Sequence, residues 1–346
     1  MIFTEFELME KKDLRIVFMG TPEFAVESLQ ALVENEYNVV AVVTQPDKPV
    51  GRHQDTLQPP AVKVYAEKMG LPVLQPVKMK DLDFIDQLKT FNADLQVVVA
   101  FRMLPEVVWD MPRFGTFNVH AALLPQYRGA APINWAVING ETQTGVTTFF
   151  LDRDIDTGRI IKHKTFDIPD DADVEYVYDG LMKAGAKLAM ETIDLILDNV
   201  EKDISPTQFA IFREAVTEPQ DETKALKAAP KIFKETCEIN WNQPSKCVYD
   251  FVRGLSPYPG AWSEMLPLDE SVAKGRNNTL KIYKTEKTNR QSVGSAGTFV
   301  AEGKHIYVNT ADYQLELKEI QLSGKKRMDG TSFVNGFKNI NEFKLK

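Results

Sequence analysis

The chain has 346 residues, room for two domains at roughly 150 residues each. With 43% hydrophobic and 26% charged residues it is a folded globular protein rather than a disordered one. Its net charge of −8 argues against a wholesale coat of nucleic acid. The balance is uneven, however: residues 1–206 hold 20 basic and 32 acidic side chains, and residues 207–346 hold 21 and 17, so the acidic mean does not exclude a polyanionic partner held by the positive second half.

The first thirteen residues, MIFTEFELMEKKD, scatter acids among apolar residues and lack the basic start and uninterrupted core of a signal peptide. Residues 14–19 (LRIVFM) read as a strand leading into Gly20-Thr21-Pro22-Glu23, a helix start with Thr21 as cap and Pro22 at the first helical position. Phe24, Leu29, Leu32 and Val33 continue at helical spacing. A strand over 38–44 ends at the breaker-rich segment 45–60. A helix over 59–69, a short strand at Val73-Leu74, a helix over 82–91 and buried strands over 94–100 and 116–120 follow. Apolar strands without alternation, separated by helices, predict an α/β fold: a mostly parallel sheet covered on both faces. Strands over 145–151 and 159–166 and a long amphipathic helix over 174–200 close this part. Segment 203–230 sustains no period and reads as a linker. A helix over 244–254 then precedes short β-rich runs at 261–266, 279–285, 297–300, 305–310 and 313–321, the spacing of a small barrel or sandwich. The apolar runs are strand-sized, far short of the ~20 residues that span a bilayer, so a soluble cytoplasmic protein is expected. Cys237 and Cys247 are too few for a disulfide framework or a four-cysteine zinc site and read as buried reduced thiols.

Asn118 and His120 end a predicted strand, and alternation sets them on one face. An amide donor beside a protonatable imidazole makes an oxyanion site. A lone histidine is more often satisfied in a core, but the carboxyl end of a strand is where open α/β sheets bind ligands. The run Asp152-Arg153-Asp154-Ile155-Asp156-Thr157-Gly158 invites a calcium reading, yet the EF-hand pattern needs Gly and Glu where Thr157 and His163 stand. It is either a surface acidic turn or a segment that sets Asp156 beside His120, favouring imidazolium and fixing the ring. Between them 121–132 (AALLPQYRGAAP) reads as a hairpin-like connection, with Arg128 either solvated or poised for an anionic group. Gly20 stands alone, so a dinucleotide site is not indicated, and no nucleotide-loop or metal-ligand motif occurs.

The stretches IVFMGTPEFAVESL, VVTQPDKPVGR, NVHAALLPQYRGAAPINWAVINGETQTGVT and DIDTG resemble the methionyl-tRNA formyltransferase family. APKIFKETCEINW, VRGLSPYPGAW and GKKRMDGTSFVNG resemble its second domain, so the likeness runs from about Leu14 to Gly336. The resemblance implies a doubly wound catalytic domain over 14–206 after an extension at 1–13. A linker at 207–230 and an OB-like C-terminal β-barrel domain over 231–346 that binds tRNA would follow. It implies transfer of a formyl group from the co-substrate 10-formyltetrahydrofolate to initiator methionyl-tRNA, by a monomer that uses no metal. Asn118, His120 and Asp156 match the family's catalytic trio. Arg102, Met103, Leu104, Asp152, Asp154 and Ile155 match segments lining the pterin pocket. Ala122, Leu123, Leu124 and Pro125 match the folate-contacting turn, with Ala122 where the family usually has Ser. Arg52 matches a tRNA-contacting arginine, in a loop whose continuation His53-Gln54-Asp55-Thr56 lacks the usual lysines. Arg128, Lys281, Lys284, Lys287, Lys325, Lys326 and Arg327 are further candidates for tRNA contact. Rival readings are a sugar-nucleotide N-formyltransferase, a hydrolase releasing formate from the same folate, and a non-catalytic tRNA-binding module.

Overall fold

The computed structural model describes residues 8–50, 56–223, 225–268, 278–337 and 339–346. They form two compact units. The first comprises the chain up to Gly129, Thr144–Phe166 and Tyr178–Ala228; the second comprises Ala130–Gln143, Asp167–Val177 and Ala229–Lys346.

The first unit is built on a seven-stranded sheet. Its order is Ile160–Asp167, Gln143–Phe150, Thr116–His120, Leu95–Val99, Ile16–Gly20, Val39–Val43, Val73–Leu74. Every residue of Ile16–Gly20 and of Leu95–Val99 is buried, which is why those runs are apolar without alternation. The strands from Thr116–His120 to Val73–Leu74 pair in parallel, and Gln143–Phe150 runs antiparallel to Thr116–His120. The expected doubly wound, mostly parallel sheet is therefore present. Helix Leu82–Thr90 packs Phe84, Ile85 and Leu88 into a core with Val17, Met19, Val43 and Val98. Strand order reverses between Ile16–Gly20 and Leu95–Val99, and the crevice at their carboxyl ends is the usual ligand position of such a sheet.

Several local expectations change. Helix Glu23–Glu34 has Pro22, not Thr21, at its N-cap, with no side-chain capping bond; the Thr21 hydroxyl is buried without a partner. The breaker-rich segment forms a small antiparallel pair, Lys48–Val50 with Thr56–Gln58, and Arg52 between them lies outside the described residues. Pro132 opens a helix, Pro132–Ile138, rather than ending a hairpin. The segment read as linker holds helix Pro206–Val216, started by a capping box in which Ser205 and Gln208 satisfy each other's backbone N–H groups.

In the second unit an antiparallel sheet runs Phe299–Glu302, His305–Asn309, Tyr313–Leu322, Asn278–Gln291, Ala261–Pro267, Phe343–Leu345. Ala261, Ser263 and Met265 point inward while Trp262 and Glu264 are partly exposed, the alternation of a one-sided sheet. The ends of this sheet nearly close. Thr298 bridges Lys344, and Leu345 N–H donates to the Gly297 carbonyl at 2.8 Å. Gly297 has φ +84°, and a Cβ there would lie 2.1 Å from the Leu345 oxygen, so closure requires glycine at this point. Trp241, Leu280, Ile282, Val308, Leu315, Leu317 and Ile320 fill the barrel, as expected of an OB-like domain. Helix Ser245–Arg253 packs on it through Val248 and Val252. Cys237 is buried in this core, but Cys247 is exposed, which corrects the expectation of two buried thiols. Among the described residues no helix is long and apolar enough to cross a membrane.

Candidate active site

Strand Thr116–His120 ends at the carboxyl edge of the sheet with Asn118 half-buried and His120 buried, 5% exposed. His120 Nε2 lies 2.9 Å from the Tyr127 carbonyl oxygen. A carbonyl can only accept, so this nitrogen carries a hydrogen and donates it. The opposite edge of the ring faces Asp156, with Nδ1 3.9 Å from Oδ2: an ion-pair separation, too long for a hydrogen bond. The same Oδ2 accepts the Gly129 N–H at 2.9 Å. Residues 36 apart in sequence are thus neighbours, which the sequence alone leaves open.

Asp156 has φ +57°, a left-handed backbone unusual for a residue with a Cβ. Its loop holds itself in place. Asp152 Oδ1 accepts the Asp154 N–H at 3.2 Å and the Thr157 hydroxyl at 2.7 Å, so this acid closes the turn. Among the described residues no three His, Cys, Asp or Glu side chains are placed to hold a metal. Gly158 passes so close to its neighbour that a Cβ would lie 1.7 Å from the Phe150 carbonyl oxygen. From the segment read as linker comes a residue that the sequence does not announce. Gln220 Nε2 donates to the Asp156 and Gly158 carbonyls, both at 2.8 Å, and its Oε1 accepts from Arg128 Nε at 3.0 Å and Nη2 at 2.7 Å. Arg128 Nη2 also bonds Glu222 at 2.9 Å. Its guanidinium is therefore part of the brace behind Asp156.

The turn Ala122–Pro125 is tied down by Thr147, another residue without a local signal. Thr147 is fully buried; its hydroxyl donates to the Ala122 carbonyl at 2.6 Å and accepts the Leu124 N–H at 3.2 Å. Gly145 leaves room for Leu123, whose Cδ2 would lie 2.5 Å from an added Cβ. Ala122 is fully buried, so a methyl fills the position where the resembled family usually has a hydroxyl. A cleft of about 590 Å³ lies at 103–109, with apolar walls from Met79, Met103, Leu104 and Trp109. Its polar rim is Lys80, Glu106 and Arg153, the last two paired at 3.1 Å. Arg102 turns away, donating Nη1 to the Val77 carbonyl at 2.9 Å and Nη2 to that of Pro76. Burial pushes its guanidinium below the usual arginine value, and its Nε is buried without a partner. Asp154 and Ile155 are exposed.

Of the basic candidates in the second unit, Lys284, Lys325 and Lys326 are exposed. Lys287 is bonded to Asp170. Arg327 lies 3.5 Å from the Tyr283 ring centroid and 3.2 Å from Glu319. Lys281 donates to the Pro259 carbonyl at 3.3 Å and lines a cavity described below.

Residues 14–193 match the formyl transferase family model, and residues 231–338 match that of the formyl transferase C-terminal domain. A methionyl-tRNA formyltransferase of Parabacteroides distasonis is 57% identical over 336 residues, spanning 97% of this chain and 99% of the relative. The chain belongs to the methionyl-tRNA formyltransferase family. A second member, from Bacteroides thetaiotaomicron, is 52% identical across 97% of this chain and 100% of its own. Among solved structures, HypX from Aquifex aeolicus superposes with a TM-score of 0.59 at 18% identity. That match covers 95% of this chain, which spans about half (48%) of HypX. An N-formyltransferase from Helicobacter canadensis superposes with a TM-score of 0.58 at 20% identity, over 89% of this chain and 99% of that one. These two likenesses show a shared fold.

Proposed function

We propose that the protein transfers the formyl group of 10-formyltetrahydrofolate to the α-amino group of initiator methionyl-tRNA, giving N-formylmethionyl-tRNA and tetrahydrofolate for translation initiation in the cytoplasm. The observation that carries this reading is the near-full-length likeness to methionyl-tRNA formyltransferases in both domains. The His120–Asp156 pair beside Asn118 supports it. The cleft between Met103 and Arg153 fits the co-substrate: apolar walls for a flat ring system, with Lys80 and Arg153 at the rim for carboxylates.

Bound there, the folate supplies a formyl carbon activated on nitrogen. One carbon–nitrogen bond forms to the amine, one breaks at the folate, and a proton passes from the amine to the departing nitrogen. The protein's part is electrostatic. With Nε2–H committed to the Tyr127 carbonyl, the free edge of His120 is Nδ1, beside the Asp156 carboxylate as counter-charge. A proton on Nδ1 and the amide of Asn118 donate to the formyl oxygen as it gains negative charge, with more effect in the transition state than in the ground state. Asp156 stabilises the charged ring as its counter-ion and passes the proton through water to the departing nitrogen. Ala122–Pro125 and 102–104 bound the folate position. Arg52, Lys284, Lys325, Lys326 and Arg327 meet the tRNA.

The test is incubation with 10-formyltetrahydrofolate and initiator or elongator methionyl-tRNA, following formylmethionine and tetrahydrofolate. Initiator-dependent product is expected. Folate turnover without an acceptor, or with aminosugars instead, would overturn the reading. Asn118→Ala and His120→Ala should each lower turnover about 10²–10³-fold while folate binding stays within a few-fold.

A further inference from the structure

The second unit contains a cavity of about 500 Å³, within the roughly 300–1,000 Å³ of small-ligand sites. Two properties set it apart. Three of its lining residues are lysines, Lys231, Lys234 and Lys281, and none is an acid. Among the described residues none of the three forms an ion pair. The other property is aromatic. Tyr258 is 81% exposed, more than any other large apolar side chain among the described residues, and Phe233 beside the same cavity is 57% exposed.

These rings are held and left uncovered. The Trp262 indole N–H donates to the Lys234 carbonyl at 2.8 Å, which fixes the ring, and the Lys234 ammonium stands 5.8 Å from its centroid. The Lys231 ammonium stands 5.5 Å from the Phe233 ring. Lys281 is drawn to the cavity by its bond to the Pro259 carbonyl. Tyr258 sits between Pro257 and Pro259, which restrict its backbone. Exposed aromatic faces interleaved with unpaired cations match a single nucleotide: the base stacks on a ring and the phosphate meets ammonium groups. An acidic peptide would use the lysines and leave the rings without a purpose.

We propose that this cavity receives one unstacked nucleotide of an RNA, its base on Tyr258 and its phosphate among Lys231, Lys234 and Lys281. The proposal rests on the reading of the substrate as tRNA and adds a site to it. Tyr258 belongs to the second unit and is not among the residues that hold His120 and Asp156, so its substitution leaves the chemical step in place.

The test uses the full chain, with Kd measured over a range of salt for deacylated initiator tRNA and for an eight-residue oligoadenylate. Tyr258→Ala should weaken both by about 5- to 150-fold, the worth of one stacked base, with an unchanged salt slope. Tyr258→Phe, which keeps the ring, should bind like the parent. Lys231→Ala, Lys234→Ala and Lys281→Ala combined should flatten the salt slope, by roughly 0.7–0.9 for each phosphate that is no longer neutralised. In formyl transfer, Tyr258→Ala should raise KM for tRNA and leave kcat unchanged. Parental affinity in Tyr258→Ala, an equal loss in Tyr258→Phe, or displacement of oligoadenylate as readily by oligoglutamate would overturn the nucleotide site. If the parent chain fails to formylate methionyl-tRNA, the proposed function falls instead, and RNA affinity still decides the cavity.

Discussion

Replacing Thr147 by valine keeps the shape of a fully buried side chain and removes one hydroxyl. That hydroxyl is the partner of both the Ala122 carbonyl, at 2.6 Å, and the Leu124 N–H, at 3.2 Å. Each buried polar group left unpaired costs about 1–3 kcal/mol. The longer bond is the weaker, so a total near 2–4 kcal/mol is expected. For a unit of this size that lowers the melting temperature by roughly 5–15 °C. Thr147→Ser keeps the hydroxyl and loses only a methyl, about 1 kcal/mol. Thermal unfolding of the parent and both variants measures the difference, and KM for formyl-folate measures the turn's position. The valine variant should be the less stable of the two and have the higher KM. Equal melting of Val and Ser variants, with equal KM, would refute the assignment of Thr147 as the anchor of this turn.

Gly158→Ala places a methyl 1.7 Å from the Phe150 carbonyl oxygen. The loop bearing Asp156 has to move, and a displacement of about 1 Å at a reacting group costs on the order of 10²-fold in turnover. Steady-state kinetics at saturating substrates would show it, and parental kcat would mean the loop adapts elsewhere. At the barrel, burial alone would push the Asp312 carboxyl up. Hydrogen bonds from the N–H groups of Ser245 and Tyr313, each at 2.7 Å, and from the Thr310 hydroxyl at 3.1 Å outweigh it and hold the group below the usual carboxylate range. A depressed carboxyl stabilises the fold above its unfolded value near pH ~4, and the benefit disappears as pH falls through the folded one. Asp312→Asn should therefore lose stability at about pH 7 and show a flatter stability profile below about pH 4 in urea titrations. A variant curve parallel to the parent's would dismiss the effect.

Strand Thr116–His120 is legible to the residue, because Gly115 bounds it on one side and its side chains are buried on both faces. Five of the barrel strands are found within a few residues, although the full length of Asn278–Gln291 is not, since its second half faces water and loses the apolar pattern, and the three-residue strand Phe343–Leu345 is missed. Helix Pro206–Val216 buries only Phe209, so no stripe announces it; its Ser205–Gln208 capping box was the available signal. Thr21 misleads as a cap because the threonine-proline-acid pattern is local, while its hydroxyl faces the interior. Gln220 and Thr147 act through bonds that span 62–64 and 23–25 residues, and no local rule reports such pairs.

The position of Gln220 bears on how the protein can be divided. A fragment ending at residue 206, where the chain first looks severable, would carry all three members of the trio and every strand of the large sheet, yet it would leave behind the amide that grips the turn under Asp156. A piece that keeps this grip has to run at least fourteen residues further on.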